Sequence, residues 1–171
     1  SNVVNSGLRR ICLLTQYKAG SLARHISNGW NIFSAELGEF IYSVPPQLRV
    51  NDNWYLGTVD AVFQNIYTID RESPDYVLIL AGDHIYRMDY AEMLRYHHDQ
   101  QADVTVACMD VSLQEAKSFG IMNVDDEQRI TSFEEKPAQP TARPGSDNMA
   151  LASMGIYIFK RELLVGELRD P

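Results

Sequence analysis

The stretch Tyr76-Val77-Leu78-Ile79-Leu80-Ala81-Gly82-Asp83-His84-Ile85 limits the possible folds of this chain more than any other. A continuously apolar run ends abruptly in Gly-Asp, and a helix start follows at Asp89. A run with no polar alternation predicts a strand covered on both faces, as in a parallel sheet under helices. In open α/β sheets, ligands collect beyond the carboxyl ends of such strands. A carboxylate at that place, after a glycine that permits close backbone approach, suits a metal ion held against a phosphate. The same residues also read as a strand ending in a plain Gly-Asp turn.

Around this strand the pattern alternates. Residues 11–14 predict a short strand, and spacing from Ser21 through Leu22, His25 and Ile26 to Gly29 predicts a helix. Residues 40–44 predict a strand closed by Pro45-Pro46, and 47–55 a polar loop. Val59, Val62, Ile66 and Ile69 give the period of one amphipathic helix opening at Thr58. After the 76–81 strand come a helix from Asp89, an inner strand over 103–109 and a capping-box start at Ser112-Leu113-Gln114-Glu115. Residues 121–124 and 129–133 flank Asp125-Asp126-Glu127-Gln128 and predict a hairpin. A Pro-rich loop over 137–148, a long strand over 150–159 and a helical start over 160–168 complete the chain. Strands alternating with helices, then strands in succession, predict an α/β domain. Its sheet is expected to be mixed and mainly parallel, with helices on both faces.

A chain of 171 residues supports one sizeable core. Its net charge of -8 argues against a nucleic-acid or anionic-membrane surface, so an anionic substrate needs a local positive site or a metal. Cys12 and Cys108 lie in apolar runs without metal-type spacing and read as small buried hydrophobes of a reducing compartment. No segment has the roughly 20 apolar residues that span a bilayer, and no signal peptide is visible. A cytoplasmic location is the expectation. Ser1 to Gly7 reads as a polar lead-in, and the sequence stops at Asp170-Pro171 just after a helix start. Both ends therefore read as cut from a longer protein.

Several short motifs have chemical potential beside a plain structural reading. Trp54-Tyr55-Leu56-Gly57-Thr58 sets two aromatics before a helix N-terminus, where free N–H groups and the dipole favour anions; local packing explains it equally. Phe133-Glu134-Glu135-Lys136-Pro137 ends a strand with a carboxylate and an ammonium, expected to point to different parts of one ligand or to form a solvated pair. Gly120 permits close backbone approach, and Ala152-Ser153-Met154-Gly155 either leaves room for a ligand or marks a bulge. His25, His84, His97 and His98 form no metal constellation, and His97 and His98 are expected to be solvated on a polar helix end.

Taken in order, these stretches resemble a known family. Asn2–Gly7 (NVVNSG), Leu13–Lys18 (LLTQYK), Ser21–Ile26 (SLARHI), Trp54–Ala61 (WYLGTVDA), Leu80–Tyr86 (LAGDHIY), Phe119-Gly120, Phe133–Pro137 (FEEKP) and Leu151–Tyr157 (LASMGIY) resemble the bacterial glucose-1-phosphate adenylyltransferases, the ADP-glucose pyrophosphorylases. Gly-Asp and Glu-Lys-Pro suit any sugar-nucleotide pyrophosphorylase, whereas the Thr-Gln-Tyr-Lys and Ala-Ser-Met-Gly-Ile-Tyr stretches point to the ADP-glucose branch.

The resemblance implies a Rossmann-like nucleotide-diphospho-sugar transferase fold. It also implies adenylyl transfer from ATP to glucose 1-phosphate, giving ADP-glucose and pyrophosphate for glycogen synthesis. By resemblance, Tyr55 binds the sugar phosphate and Asp83 holds Mg²⁺. Glu135 and Lys136 grip the glucose and its phosphate, with Gly120 and Ser153 lining the sugar pocket. Gln16, Trp54 and Arg71 fall in regions that carry allosteric signals in the family. The family's Gly-rich triphosphate loop, second metal carboxylate and C-terminal β-helix domain are not in this sequence. Residues 1–171 thus correspond to part of the catalytic domain, and a homotetramer is implied for the whole. Leu56 and Val59 stand where many members have Arg and Ala. Two alternatives stay open: a thymidylyl- or uridylyltransferase, and a non-catalytic regulatory homologue.

Overall fold

The computed structural model describes residues 2–16, 19–45, 55–82 and 86–170. The element order is α1 (Asn2–Asn5), β1 (Arg10–Leu14), α2 (Ala19–Gly29), a 3₁₀ turn at Ala35–Leu37, β2 (Phe40–Val44), α3 (Thr58–Gln64), α4 (Ile66–Glu72) and β3 (Tyr76–Leu80). It continues through α5 (Tyr90–Asp99), β4 (Val104–Ser112), α6 (Leu113–Ala116), β5 (Gly120–Val124), β6 (Ile130–Glu135), β7 (Met149–Lys160) and α7 (Arg161–Arg169). The strands expected from apolar runs all form. Most of the predicted 47–55 loop lies outside the described residues.

Strands β1 and β2 pair in parallel as a two-stranded sheet. The other strands form a five-stranded sheet built on β7, which pairs antiparallel with β3, β4 and β5, while β6 pairs with β5. β3 and β4 both oppose β7, so they run in the same direction with β7 between them. The domain is α/β; among the described residues the two-stranded sheet is parallel, and every direct pairing of the five-stranded sheet is antiparallel because β7 lies between the co-directional β3 and β4.

Registers assign the faces. Ala107 pairs with Ile156, Met109 with Ala152, and Val111 with Ala150, so Ala150, Ala152, Ile156 and Ile158 share a face. That face packs against α5 through Tyr90 and Met93 and against α6 through Ala116. Ile121, Ile156 and Ile158 are fully buried there, each contributing roughly 1.5–3 kcal/mol of transfer free energy. The helix starts follow their local chemistry. Asp89 accepts from the Ala91 N–H at 2.9 Å. Ser112 and Glu115 close the expected capping box, whose hydrogen bonds hold the Glu115 carboxyl below the usual carboxylate range.

Three expectations are corrected. The helix predicted from Thr58 splits at Asn65, whose side chain donates to the Ala61 carbonyl at 2.8 Å and competes with the helical ladder. Val59, expected on its apolar face, is 71% exposed. The polar lead-in forms α1, and its Asn2 amide donates to the Tyr86 carbonyl while the Ser6 hydroxyl accepts from the Tyr90 N–H, both at 2.8 Å. His97 is buried rather than solvated, because it faces Thr105 of β4 and Tyr76 of β3 instead of water.

Candidate active site

Strand register gathers three of the residues singled out in the sequence. Ser153 pairs with Cys108, and Gly120 pairs with Glu135. β5 joins β7 through Ile121↔Ala152 and Met122↔Leu151; the next position of that register sets Gly120 beside Ser153. Cys108, Ser153, Gly120 and Glu135 therefore form one row across the sheet, on the face opposite α5 and α6. A Cβ built on Gly120 would lie 3.1 Å from Glu135 Oε2, so the missing side chain lets the carboxylate lean over the strand. Burial pushes the Cys108 thiol up to about 11, which keeps it protonated and non-nucleophilic at neutral pH.

The small-residue stretch in β7 is a bulge. Between Ala107/Cys108 the register moves from Ile156 to Ser153, which leaves Met154 and Gly155 unpaired. Gly155 has φ +68°, a left-handed conformation that glycine adopts without penalty. The Ser153 hydroxyl accepts from the Gly155 N–H at 3.3 Å and lies 3.4 Å from the Tyr157 hydroxyl. β3 ends beside this bulge, because Leu80 pairs with Ile156 and Ala81 lies against Gly155. β3 therefore ends against the bulge. Asp83 follows Gly82 directly but lies outside the described residues, as does Trp54.

Lys136 comes one residue after β6 with φ +47°, an uncommon conformation for a side-chain-bearing residue. Its N–H donates to the Phe119 carbonyl at 3.0 Å, which ties the turn to the start of β5. Strand alternation would separate Glu135 from Lys136. The left-handed turn instead brings the Lys136 ammonium 3.7 Å from Glu135 Oε1, with both side chains more than half exposed. The pair presents an acceptor and a cation together at the end of the row.

Tyr55 is fixed from two sides. Its hydroxyl accepts from Asn65 Nδ2 at 2.9 Å, and its carbonyl accepts from Gln16 Nε2 at 3.5 Å. The Asp60 carboxylate accepts from the Leu56 N–H at 2.8 Å and from Gln64 Nε2 at 2.9 Å, closing the entry to α3. Arg71 stands elsewhere. Its guanidinium donates to the Tyr42 hydroxyl of β2 and to Glu72, both at 2.8 Å. Burial raises the Tyr42 hydroxyl to about 12.

Among the described residues no group of three or more His, Cys, Asp or Glu could hold a metal ion. Also among them, no helix is long and apolar enough to cross a membrane. Sequence reasoning gave no site role to Asn65, Cys108 or Phe133. Asn65 and Cys108 gave no local signal. Phe133 sits in the Glu-Lys-Pro motif, where its alternation with Glu135 already placed the two on one face.

Comparison with known proteins identifies the family. The family model described as Nucleotidyl transferase matches residues 1–170. The glucose-1-phosphate adenylyltransferase of Nitrosococcus oceani is 54% identical over 98% of this chain and 40% of its own length. That of Rhodopirellula baltica is 55% identical over 99% of this chain and 38% of its own. Glucose-1-phosphate adenylyltransferase 2 of Vibrio cholerae is 54% identical over 99% and 42%. The chain thus spans about two-fifths of the length of these curated relatives. With an α/β fold, a glycine-backed carboxylate row and a model match over nearly its whole length, this chain belongs to the nucleotidyl transferase family.

Proposed function

We propose that the whole protein transfers the adenylyl group of ATP to α-D-glucose 1-phosphate, forming ADP-glucose and releasing pyrophosphate for glycogen synthesis. The observation that carries this reading is the row Ser153–Gly120–Glu135, with Lys136 at its end and the terminus of β3 beside it. Hydroxyl, backbone and carboxylate acceptors in one line suit a polyol, and an adjacent ammonium suits its phosphate. The names of the similar proteins choose glucose 1-phosphate and ATP among the possible pairs.

In this reading Glu135 accepts from sugar hydroxyls and Lys136 holds the sugar phosphate against the α-phosphorus of ATP. Ser153 and Gly120 border the ring. Tyr55, braced by Asn65, contacts the phosphate from the α3 side. The phosphate oxygen attacks in line, and positioning and charge stabilisation supply most of the acceleration. Asp83 is the residue that would hold Mg²⁺: it follows the strand delivered to the Ser153 bulge, and Mg²⁺ takes only one or two protein carboxylates beside phosphates and water. When bound, the ion would neutralise charge on the leaving pyrophosphate. In the same reading Gln16, whose amide reaches the Tyr55 carbonyl, passes an effector signal to that residue, and Trp54 and Arg71 belong to the same regulation. A homotetramer in the cytoplasm completes the proposal.

The test is pyrophosphate release by the full-length protein, with glucose 1-phosphate and ATP, UTP or dTTP in parallel. A preference for ATP is expected. Preference for UTP or dTTP would move the protein to another branch of the family, and no turnover with any nucleotide would favour a regulatory homologue.

A further inference from the structure

We propose that Phe133 forms the apolar floor of the sugar subsite and sets which hexose 1-phosphate that subsite accepts, a role that rests on the sugar-phosphate reading above. Phe133 pairs with Met122 and Glu135 with Gly120, so the aromatic and the carboxylate stand on one face of β6. A Cβ on Gly120 would lie 2.6 Å from Phe133 Cε2 and 2.8 Å from Cζ, well inside contact distance. A side chain at Gly120 would displace the ring from this position. The ring therefore lies over the β5 backbone, next to the carboxylate that borders the same point at 3.1 Å.

Among the described residues this ring lies outside the buried clusters. Phe133 is 53% exposed, whereas Ile121 on the opposite face of β5 is fully buried. A broad apolar surface beside a few convergent polar groups is the usual composition of a small-molecule site. A pyranose has such a surface, because its axial C–H bonds form an apolar face while its equatorial hydroxyls point to the rim. Laid on the Phe133 ring, glucose would direct its hydroxyls toward Glu135 and Ser153. A 4-epimer would place an axial hydroxyl against one face or lose a rim contact, and a polar group pressed on an apolar ring without a partner is disfavoured. The ring thus acts on the sugar and not on the nucleotide.

The experiment compares full-length wild type with Phe133→Ala, Phe133→Tyr and Gly120→Ala by KM for glucose 1-phosphate, KM for ATP, the glucose to galactose 1-phosphate rate ratio, and thermal midpoint. Phe133→Ala is expected to raise the KM for glucose 1-phosphate about tenfold, equivalent to one good apolar contact. Discrimination against galactose 1-phosphate should narrow, while the KM for ATP and the midpoint hold. Phe133→Tyr, which retains the ring, should keep the KM for glucose 1-phosphate well below that of Phe133→Ala, and Gly120→Ala, which drives a methyl into the ring, should mimic Phe133→Ala. An unchanged sugar KM in an active Phe133→Ala enzyme overturns the floor alone. A parallel loss of both KM values with a falling midpoint also overturns it, as that would make the ring a packing residue. A wild type that uses no hexose 1-phosphate overturns the functional reading and the floor with it.

Discussion

Gly155 bends β7 directly against Ala81, so that a Cβ at Gly155 would sit 3.8 Å from Ala81 Cβ, an ordinary van der Waals contact. Space is therefore available for a methyl at this position, and the obstacle to a larger residue is conformational. At φ +68° an L-residue pays about 1–2 kcal/mol. Gly155→Ala should lower stability by roughly that amount, seen as a denaturant midpoint shift without a change in slope. Because the Gly155 N–H donates to Ser153 Oγ, relaxation of the bulge should also raise the KM for glucose 1-phosphate. A variant as stable as wild type, with unchanged KM, would show that the bulge is a passive connector.

Lys136 separates backbone strain from ligand contact. Its φ of +47° costs on the order of 1 kcal/mol in a residue with a side chain. Lys136→Ala retains that strain and loses the ammonium, while Lys136→Gly loses both. Both variants should show a greatly raised KM for glucose 1-phosphate, and the glycine variant should be the more stable by about 0.5–1 kcal/mol. Equal stabilities would mean that the turn relaxes in the alanine variant, and an unchanged KM would remove Lys136 from the phosphate site.

Much of this site was legible as separate pieces. The strand ends at Leu80, just before Gly82, and at Glu135, the Asp89 cap and the Ser112–Glu115 box depend on neighbours within a few residues, and each formed where local chemistry put it. The row itself was not legible, because it depends on β5 pairing with β7 in one register and on a two-residue slip at Ser153. Neither leaves a period in the sequence. The Glu135–Lys136 pair takes the solvated arrangement that the motif left open, because strand alternation stops where Lys136 turns left-handed, and lysine gives no local hint of that. Asn65 broke a good helical period because its amide had a better partner in the Ala61 carbonyl.

Asn65 offers a direct measure of how firmly Tyr55 is held. The amide donates to the Tyr55 hydroxyl at 2.9 Å, and Asn65 is buried. A double-mutant cycle with Tyr55→Phe and Asn65→Ala should give a coupling energy of about 0.5–1.5 kcal/mol in stability. The Asn65→Ala variant should also raise the KM for glucose 1-phosphate although the residue is not assigned to the substrate. Additivity of the two changes would mean that the hydroxyl is held by other groups.

His97 makes the fold sensitive to mild acid. The imidazole is fully buried, its Nδ1 lies 2.7 Å from Thr105 Oγ1, the Tyr76 ring meets it edge-on at 5.0 Å, and its Nε2 has no hydrogen-bond partner among the described residues. Burial lowers its pKa, as do the nearby Lys160 ammonium and His98, while Asp103 acts in the opposite direction. In the unfolded chain the ring protonates near the ordinary value of about 6.5. Between that value and the lower folded pKa, the unfolded state binds a proton that the folded state does not. Stability contributed by the neutral ring is therefore complete above the unfolded pKa and is lost as pH falls through this window, with a slope of at most about 1.4 kcal/mol per pH unit. His97→Gln, which retains a polar group for Thr105 and cannot titrate, should flatten this part of the profile. Chemical denaturation between pH 5 and pH 8 measures it, at roughly the span where an unperturbed histidine changes charge. Identical wild-type and variant slopes would assign the acid sensitivity to other groups.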